Sequence, residues 1–226
     1  MVKELISLFY VPQCHGCERR LADGERYLCG KCRAELPLTY YETQPMNLMV
    51  QRFAGQVSFE RATALCFYNR GTIVSHIFHD FKYRGYSHLA EYMGELSAEK
   101  LRDSGFFDGI DALVPIPIHI LKRIKRGYNQ SELICRGLSK ALNIPVMTGL
   151  RAVRRHKTQT SMTLDERKKN VEGVFRFTPG EDPTGKHLLI VDDVCTTGTT
   201  IFEAAKVIKT AYPGVKLSFF TVGVTY

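Results

Sequence analysis

The chain has 226 residues, 44% of them apolar, enough for one medium-sized core with a small appendage rather than several domains. No apolar run reaches the ~18 residues that a membrane-crossing helix needs, and the start, MVKELISLFYVPQC, is too short and too mixed for a secretory signal. No membrane span and a cytoplasmic location are therefore expected. The net charge of +8 is uneven: residues 119–136 carry +4, residues 151–170 carry +5, and the remainder carries −1.

In chain order, the first feature is a pair of C-x2-C knuckles, Cys14/Cys17 and Cys29/Cys32, eleven residues apart. Each knuckle brackets a tight turn, and each thiolate can take one corner of a zinc tetrahedron. An odd total of seven cysteines in a reducing compartment argues against disulfides. Residues 1–36 have too little apolar area to fold alone, so they are expected to form a zinc lobe stabilised by one structural Zn²⁺. His15, inside the first knuckle, could compete as a metal ligand but is expected to be an exposed turn residue. Cys66 and Cys135 fall in apolar patterns and read as small core residues, and Cys195 as a hydrophobic neighbour of Val194.

Residues 37–60, with Pro37, Pro45 and Gly55, read as a connector. From Arg61 onward the pattern alternates. Residues 62–68 form a strand pattern. Residues 72–83 place Ile73, Ile77, Phe78 and Phe81 at helical spacing, and residues 89–101 predict a second helix. Residues 112–116 read as a buried strand leaving through Pro115 and Pro117 into a basic loop. Residues 131–142 are helical, with Pro145 just beyond. Thr163 and Glu166 make a capping box for a short basic helix ending near Gly173, and residues 174–177 read as a strand. The loop PGEDPTGK leads to another strand, a helix marked by Ile201, Ala204, Ala205 and Ile208, and a last strand at residues 216–224. Strands alternating with helices over residues 61–226 predict an α/β fold with a doubly wound, mainly parallel sheet.

Residues 188–200, LLIVDDVCTTGTT, carry the strongest chemical signal. A buried-strand run meets Asp192 and Asp193, and a Thr/Gly turn then opens a helix. Ligands of parallel sheets bind beyond the carboxyl ends of the strands. A small-residue turn entering a helix N-terminus offers backbone N–H groups and a positive dipole end to a phosphate. Two carboxylates beside it suit hydroxyl groups or a metal, so the combination asks for a sugar phosphate. Thr200 and Glu203 also fit a plain capping box, but that reading leaves the paired like charges unexplained.

This stretch resembles the phosphoribosyl-pyrophosphate (PRPP) signature of type I phosphoribosyltransferases. The resemblance implies that Asp192 and Asp193 bind the ribose hydroxyls. It also implies that Thr196, Thr197, Gly198, Thr199 and Thr200 hold the 5′-phosphate, with Mg²⁺ carried mainly by the ligand's own oxygens. In related transferases the loop after the strand that matches residues 112–116 binds pyrophosphate, which would engage Arg123 and Arg126. Gly127 would let the backbone pass close to a ligand. Asn129 and Gln130 either cap the next helix or touch the ligand. Residues 154–175 resemble the loop that closes over PRPP, with Gln159 and Arg167 at matching spacing. Residues 81–86, FKYRGY, interleave Lys82 and Arg84 with Tyr83 and Tyr86, a pattern suited to single-stranded nucleic acid. Arg154, Arg155 and Lys157 add basic charge to the same expected footprint.

The four-cysteine lobe, FKYRG, VPIP followed by RGYNQ, the NVEGVF segment and VDDVCTTGTT occur in this order over nearly the full length. The chain is similar to the ComF family of bacterial competence proteins. The resemblance implies a DNA-uptake role at the cytoplasmic end of natural transformation, single-stranded DNA binding and a helicase-like ATPase partner, ComFA. One departure from the amidophosphoribosyltransferase branch is plain: the first cysteine, Cys14, belongs to a knuckle and is no amino-terminal nucleophile. The PRPP half of a transferase is legible and the acceptor half is not. The alternatives to a DNA-uptake factor are an active phosphoribosyltransferase on an unidentified acceptor, and a PRPP-sensing module without turnover.

Overall fold

The computed structural model describes residues 12–153 and 174–226. Four parallel strands form the central sheet: β1 (Ala62–Phe67), β2 (Ala112–Pro115), β5 (His187–Cys195) and β6 (Lys216–Val224), in the spatial order β1-β6-β5-β2. Two short strands, β3 (Leu150–Ala152) and β4 (Phe175–Phe177), pair antiparallel as a separate ribbon. The α/β, doubly wound parallel architecture expected from the sequence is present. β3 was not foreseen, because a three-residue strand gives no readable period.

Both sheet faces are covered, which is why the strands read as continuous apolar runs. Along β5, Leu189 and Val191 point to one face, and Leu188 and Ile190 to the other. The first face packs against α3 (Ile73–Tyr83), α4 (Ser87–Leu101) and α6 (Gln130–Leu142) through Ile77, Phe81, Leu89, Met93, Ile134 and Leu138. The second packs against α2 (Leu48–Phe53) and α7 (Thr199–Ala211) through Met49, Phe53, Ile201, Ala205 and Ile208. α4 and α6 run unusually close. A Cβ on Gly137 would lie 2.0 Å from the Glu91 carbonyl oxygen, so only glycine fits there.

The segment read as a connector carries more structure than its prolines suggested. Leu38 bridges antiparallel to Cys66 on the β1 edge, and Met49 and Phe53 of α2 are fully buried against the second face. The cysteine knuckles join the core of the first face through Cys14, Leu28, Cys29, Cys32 and Leu36. A short helix, α1 (Gly30–Ala34), opens on Cys29. The Tyr27 and Tyr92 rings lie 5.3 Å apart, and Arg26 and Arg33 pair with Glu95 and Glu99 of α4.

Two local expectations need correction. The basic stretch after β2 is not a plain loop: Ile120–Arg126 form a helix, α5, closed by Gly127 at φ +82°. Thr200 is not a helix cap. The N-cap of α7 is Gly198, at φ +79°, and it makes no side-chain capping bond. The chain needs a left-handed residue to turn from β5 into α7, and only the glycine supplies it without strain.

Candidate functional site

The chain places its acidic pair at a topological switch point. After β2 the chain passes to α6 on the first face, and after β5 it passes to α7 on the second. β2 and β5 are neighbours, and the space beyond the carboxyl ends of such a pair is where ligands of open α/β sheets bind. β5 continues through both aspartates as far as Cys195 instead of ending at them.

Each carboxylate has its own partner. Asp192 Oδ1 accepts a hydrogen bond from Ser131 Oγ at 3.0 Å and from the Asp193 backbone N–H at 2.8 Å. Asp193 Oδ2 lies 2.8 Å from Lys82 Nζ at the end of α3. Burial, and secondarily the Asp193 charge, push the Asp192 carboxyl up to about 7. The pair therefore offers one carboxyl near neutrality and one that is cation-paired. Sequence reasoning missed Ser131, and its only signal was its place after the capping residue Asn129. Asn129 does cap α6: its Oδ1 accepts from Ser131 N at 3.2 Å, and its Nδ2 donates to Ile116 O at 3.0 Å.

The loop beside the pair holds Thr196 and Thr197 exposed, with Thr197 Oγ1 2.9 Å from Thr199 Oγ1. Thr199 and Thr200 are half-buried in the first turn of α7. Phe53 lies beneath Gly198, where an added Cβ would come within 2.9 Å of its ring. Arg52, also unforeseen, donates to Cys195 O at 3.1 Å and to Thr225 O, tying α2 to the ends of β5 and β6. Cys195 is buried, with its thiol 3.6 Å from the Arg52 guanidinium.

At the α5–α6 junction, Arg123 pairs with Glu132 at 3.1 Å, and Arg126 Nη1 donates to Gln130 Oε1 at 3.1 Å. The Arg126 guanidinium also lies over the exposed Tyr83 ring at 5.5 Å. Gln130 is 1% exposed, yet its Nε2 finds no acceptor among the described residues. A buried orphan donor beside a crevice calls for an explanation. Arg84 pairs with Asp80 at 3.3 Å, and Tyr86 stands edge-on to His15 at 4.5 Å. Arg154, Arg155, Lys157, Gln159 and Arg167 lie outside the described residues, as does the short helix expected from Thr163 and Glu166.

Cys14, Cys17, Cys29 and Cys32 converge, with all four sulfurs within 4.8 Å of one another, and can hold a metal ion. Backbone N–H groups of Gly16 and Cys29 reach Cys14 Sγ at 3.3 and 3.2 Å, and that of Cys32 reaches Cys29 Sγ at 3.3 Å. Despite the opposing effect of burial, the Cys32 backbone N–H, Arg19 and the neighbouring Cys32 and Cys14 thiols draw the Cys29 thiol down to about 6. His15 is not a free turn residue. Its Nδ1 lies 2.5 Å from Asp80 Oδ2, which takes it away from the cysteine cluster.

Residues 128–221, which span α6 to most of β6, match the family described as the phosphoribosyl transferase domain. Competence protein F of Haemophilus influenzae is 25% identical over 201 residues, covering 87% of this chain and 83% of that protein. The DNA utilization protein YhgH of Escherichia coli O6:H1 is 29% identical over 203 residues, covering 86% of this chain and 83% of that protein. Competence protein ComFC of Bacillus subtilis is 26% identical over 110 residues, covering 49% of this chain and 43% of that protein.

Proposed function

We propose that this homologue of the competence and DNA-utilization proteins, which carries a phosphoribosyl transferase domain, is a DNA-uptake factor. In this reading it handles single-stranded DNA at the cytoplasmic face and holds PRPP in the crevice between β2 and β5. One observation carries the PRPP reading. A carboxylate pair stands at the switch point beside a loop that enters α7 with no side chain capping its first N–H groups. Asp192 and Asp193 would take the ribose hydroxyls, and Thr196 to Thr200 the 5′-phosphate. Arg126 and the Gln130 Nε2 group would take the more distant phosphates, with Mg²⁺ supplying charge neutralisation when bound. Gln159 and Arg167 are the further expected contacts to PRPP.

The exposed Tyr83 ring with Arg126 above it supports the DNA reading, because bases stack on such a surface while cations follow phosphates. Arg84, Arg154, Arg155 and Lys157 would extend that footprint, and ComFA is the expected partner. The metal of the cysteine cluster is zinc in this reading. A tetrahedron with Zn–S bonds of ~2.3 Å has S···S edges of about 3.8 Å, and Cys17 Sγ lies 3.8 Å from Cys29 Sγ. Four thiolates leave no open corner, so the ion is structural.

The test is a titration of a labelled oligothymidylate against the full chain, with and without PRPP and Mg²⁺, repeated on Asp192→Asn/Asp193→Asn. PRPP should shift the DNA affinity of the wild type and leave that of the double variant unchanged. Log affinity should fall with log salt by about 0.7 per phosphate contacted. PRPP binding that survives in the double variant removes the site assignment. An oligonucleotide that fails to bind at low salt removes the DNA reading.

A further inference from the structure

The first cysteine knuckle grips α3 at both ends. A Cβ on Gly16 would lie 2.9 Å from Cys32 Sγ and 2.9 Å from Ile73 Cγ2, so the turn between Cys14 and Cys17 sits directly on the first residue of the helix. Two turns further along, His15 Nδ1 lies 2.5 Å from Asp80 Oδ2. Asp80 is 7% exposed, and Arg84 lies 3.3 Å from its other oxygen. A buried carboxylate is costly without partners, so this one fixes the knuckle and the helix against each other. Tyr86 stands edge-on to the same His15 ring at 4.5 Å.

The same stretch of α3 reaches the acidic pair. Lys82 follows Asp80 by two residues, about 200° of helix rotation, so the two side chains leave the helix on opposite sides. Asp80 faces the knuckle, whereas Lys82 Nζ lies 2.8 Å from Asp193 Oδ2. The ammonium stands 5.2 Å from the centre of the buried Phe78 ring, and the Phe81 carbonyl accepts from Tyr128 Oη at 2.5 Å. The last turn of α3 is thus a strut. One side is held by the cysteine lobe, and the other delivers a cation to Asp193. A metal in the cysteine cluster fixes the turn that carries His15, and His15 fixes the turn that carries Lys82. That cation matters to a polyanionic ligand, because the Asp193 carboxylate would otherwise turn an unpaired negative charge toward it.

We propose that the cysteine lobe sets the ligand affinity of the acidic pair from a distance. His15 and Asp80 are positioning residues, and both act on the ligand through Lys82. This linkage rests on the PRPP reading proposed above: metal in the lobe and PRPP beside Asp193 each strengthen the other by the same factor.

Calorimetric titration of the zinc-loaded full chain with PRPP and Mg²⁺ tests it, on the wild type, His15→Ala, Asp80→Asn, Lys82→Met and His15→Ala/Lys82→Met. His15→Ala and Asp80→Asn should each weaken PRPP binding at least about five-fold, the lower end of an ordinary coupling between sites. In the Lys82→Met background His15→Ala should change nothing further, whereas a role in folding alone would weaken both backgrounds alike. The reciprocal measurement uses the unmutated protein. Competition with a chromophoric zinc chelator should show zinc held at least about five-fold more tightly at saturating PRPP, with no such gain in Asp192→Asn/Asp193→Asn. Equal PRPP affinity in the wild type and His15→Ala, an equal loss in both Lys82 backgrounds, or a zinc affinity indifferent to PRPP overturns the coupling and leaves the PRPP reading standing. A zinc-loaded wild type that binds no PRPP overturns that reading, and the coupling with it.

Discussion

Gly198 is the residue on which the loop geometry depends, and Gly198→Ala gives a quantitative test of it. Its φ of +79° costs an L-residue with a Cβ about 1–2 kcal/mol. A methyl there would also lie 2.9 Å from Phe53 Cε1 and 3.0 Å from Cζ. Phe53 is 1% exposed, so its ring has no open space to enter, and forcing it aside costs about 1–3 kcal/mol. The two contributions sum to about 2–5 kcal/mol, or a fall in Tm of roughly 5–15 °C for a chain this size. Phe53→Leu separates them. Alone it should cost roughly 1–2 kcal/mol in lost burial. Combined with Gly198→Ala it should relieve the clash and leave the φ penalty, giving a favourable coupling of about 1–3 kcal/mol in a double-mutant cycle. The assay is urea denaturation of the four proteins, with ribose 5-phosphate binding measured on each. Additive losses, or a Gly198→Ala protein of wild-type stability, would refute the close approach of this loop to α2.

Two further outcomes follow from the cysteine cluster and the acidic pair. Metal analysis of freshly reduced protein should find about one zinc per chain, and Cys29→Ser should lose it. Because the knuckles share the core of the first sheet face, Cys29→Ser should also lower the melting temperature while far-UV dichroism keeps its α/β signature. Protein with no zinc, or a variant that keeps it, contradicts the assignment. The Asp192 carboxyl, raised to about 7 by burial and by Asp193, stays protonated in the folded chain at pH values where the unfolded chain has lost that proton. Its contribution to stability is therefore complete below about pH 4 and is lost as pH rises through 7. Asp192→Asn should flatten the fall in stability between those values. A variant with the wild-type slope would show that the Asp192 carboxyl is not perturbed.

Much of the fold was legible because periodicity reports burial. The helix at residues 72–83 declared itself through Ile73, Ile77, Phe78 and Phe81, and the strand at 188–191 through an unbroken apolar run, since both faces of the sheet are covered. The cysteine spacing gave the metal cluster, and the DD-x2-TTGTT pattern gave the loop. What stayed hidden was which side chains meet. Ser131 reaches Asp192 across 61 residues, and His15 reaches Asp80 across 65. No local pattern encodes either contact. α5 was misread as a loop because its apolar residues, Ile120, Leu121 and Ile124, are exposed and show no buried face. The helix in residues 37–60 was missed because it is only six residues long.

The acidic pair shows how such hidden contacts bear on function. Two adjacent carboxylates are costly, and the sequence announced that cost without its compensation. The fold compensates asymmetrically, giving Asp192 a neutral hydroxyl and Asp193 an ammonium. The first arrangement lets burial hold a proton near neutrality on Asp192, and the second sets an ammonium 2.8 Å from the Asp193 carboxylate. A ligand that uses Asp193 must either share it with Lys82 or displace that cation. Displacement would release one positive charge toward the ligand's own phosphates. Lys82→Met leaves the Asp193 carboxylate without its ammonium, so the variant should bind PRPP with altered affinity. Wild-type PRPP affinity in Lys82→Met would show that the ligand neither shares nor displaces this cation.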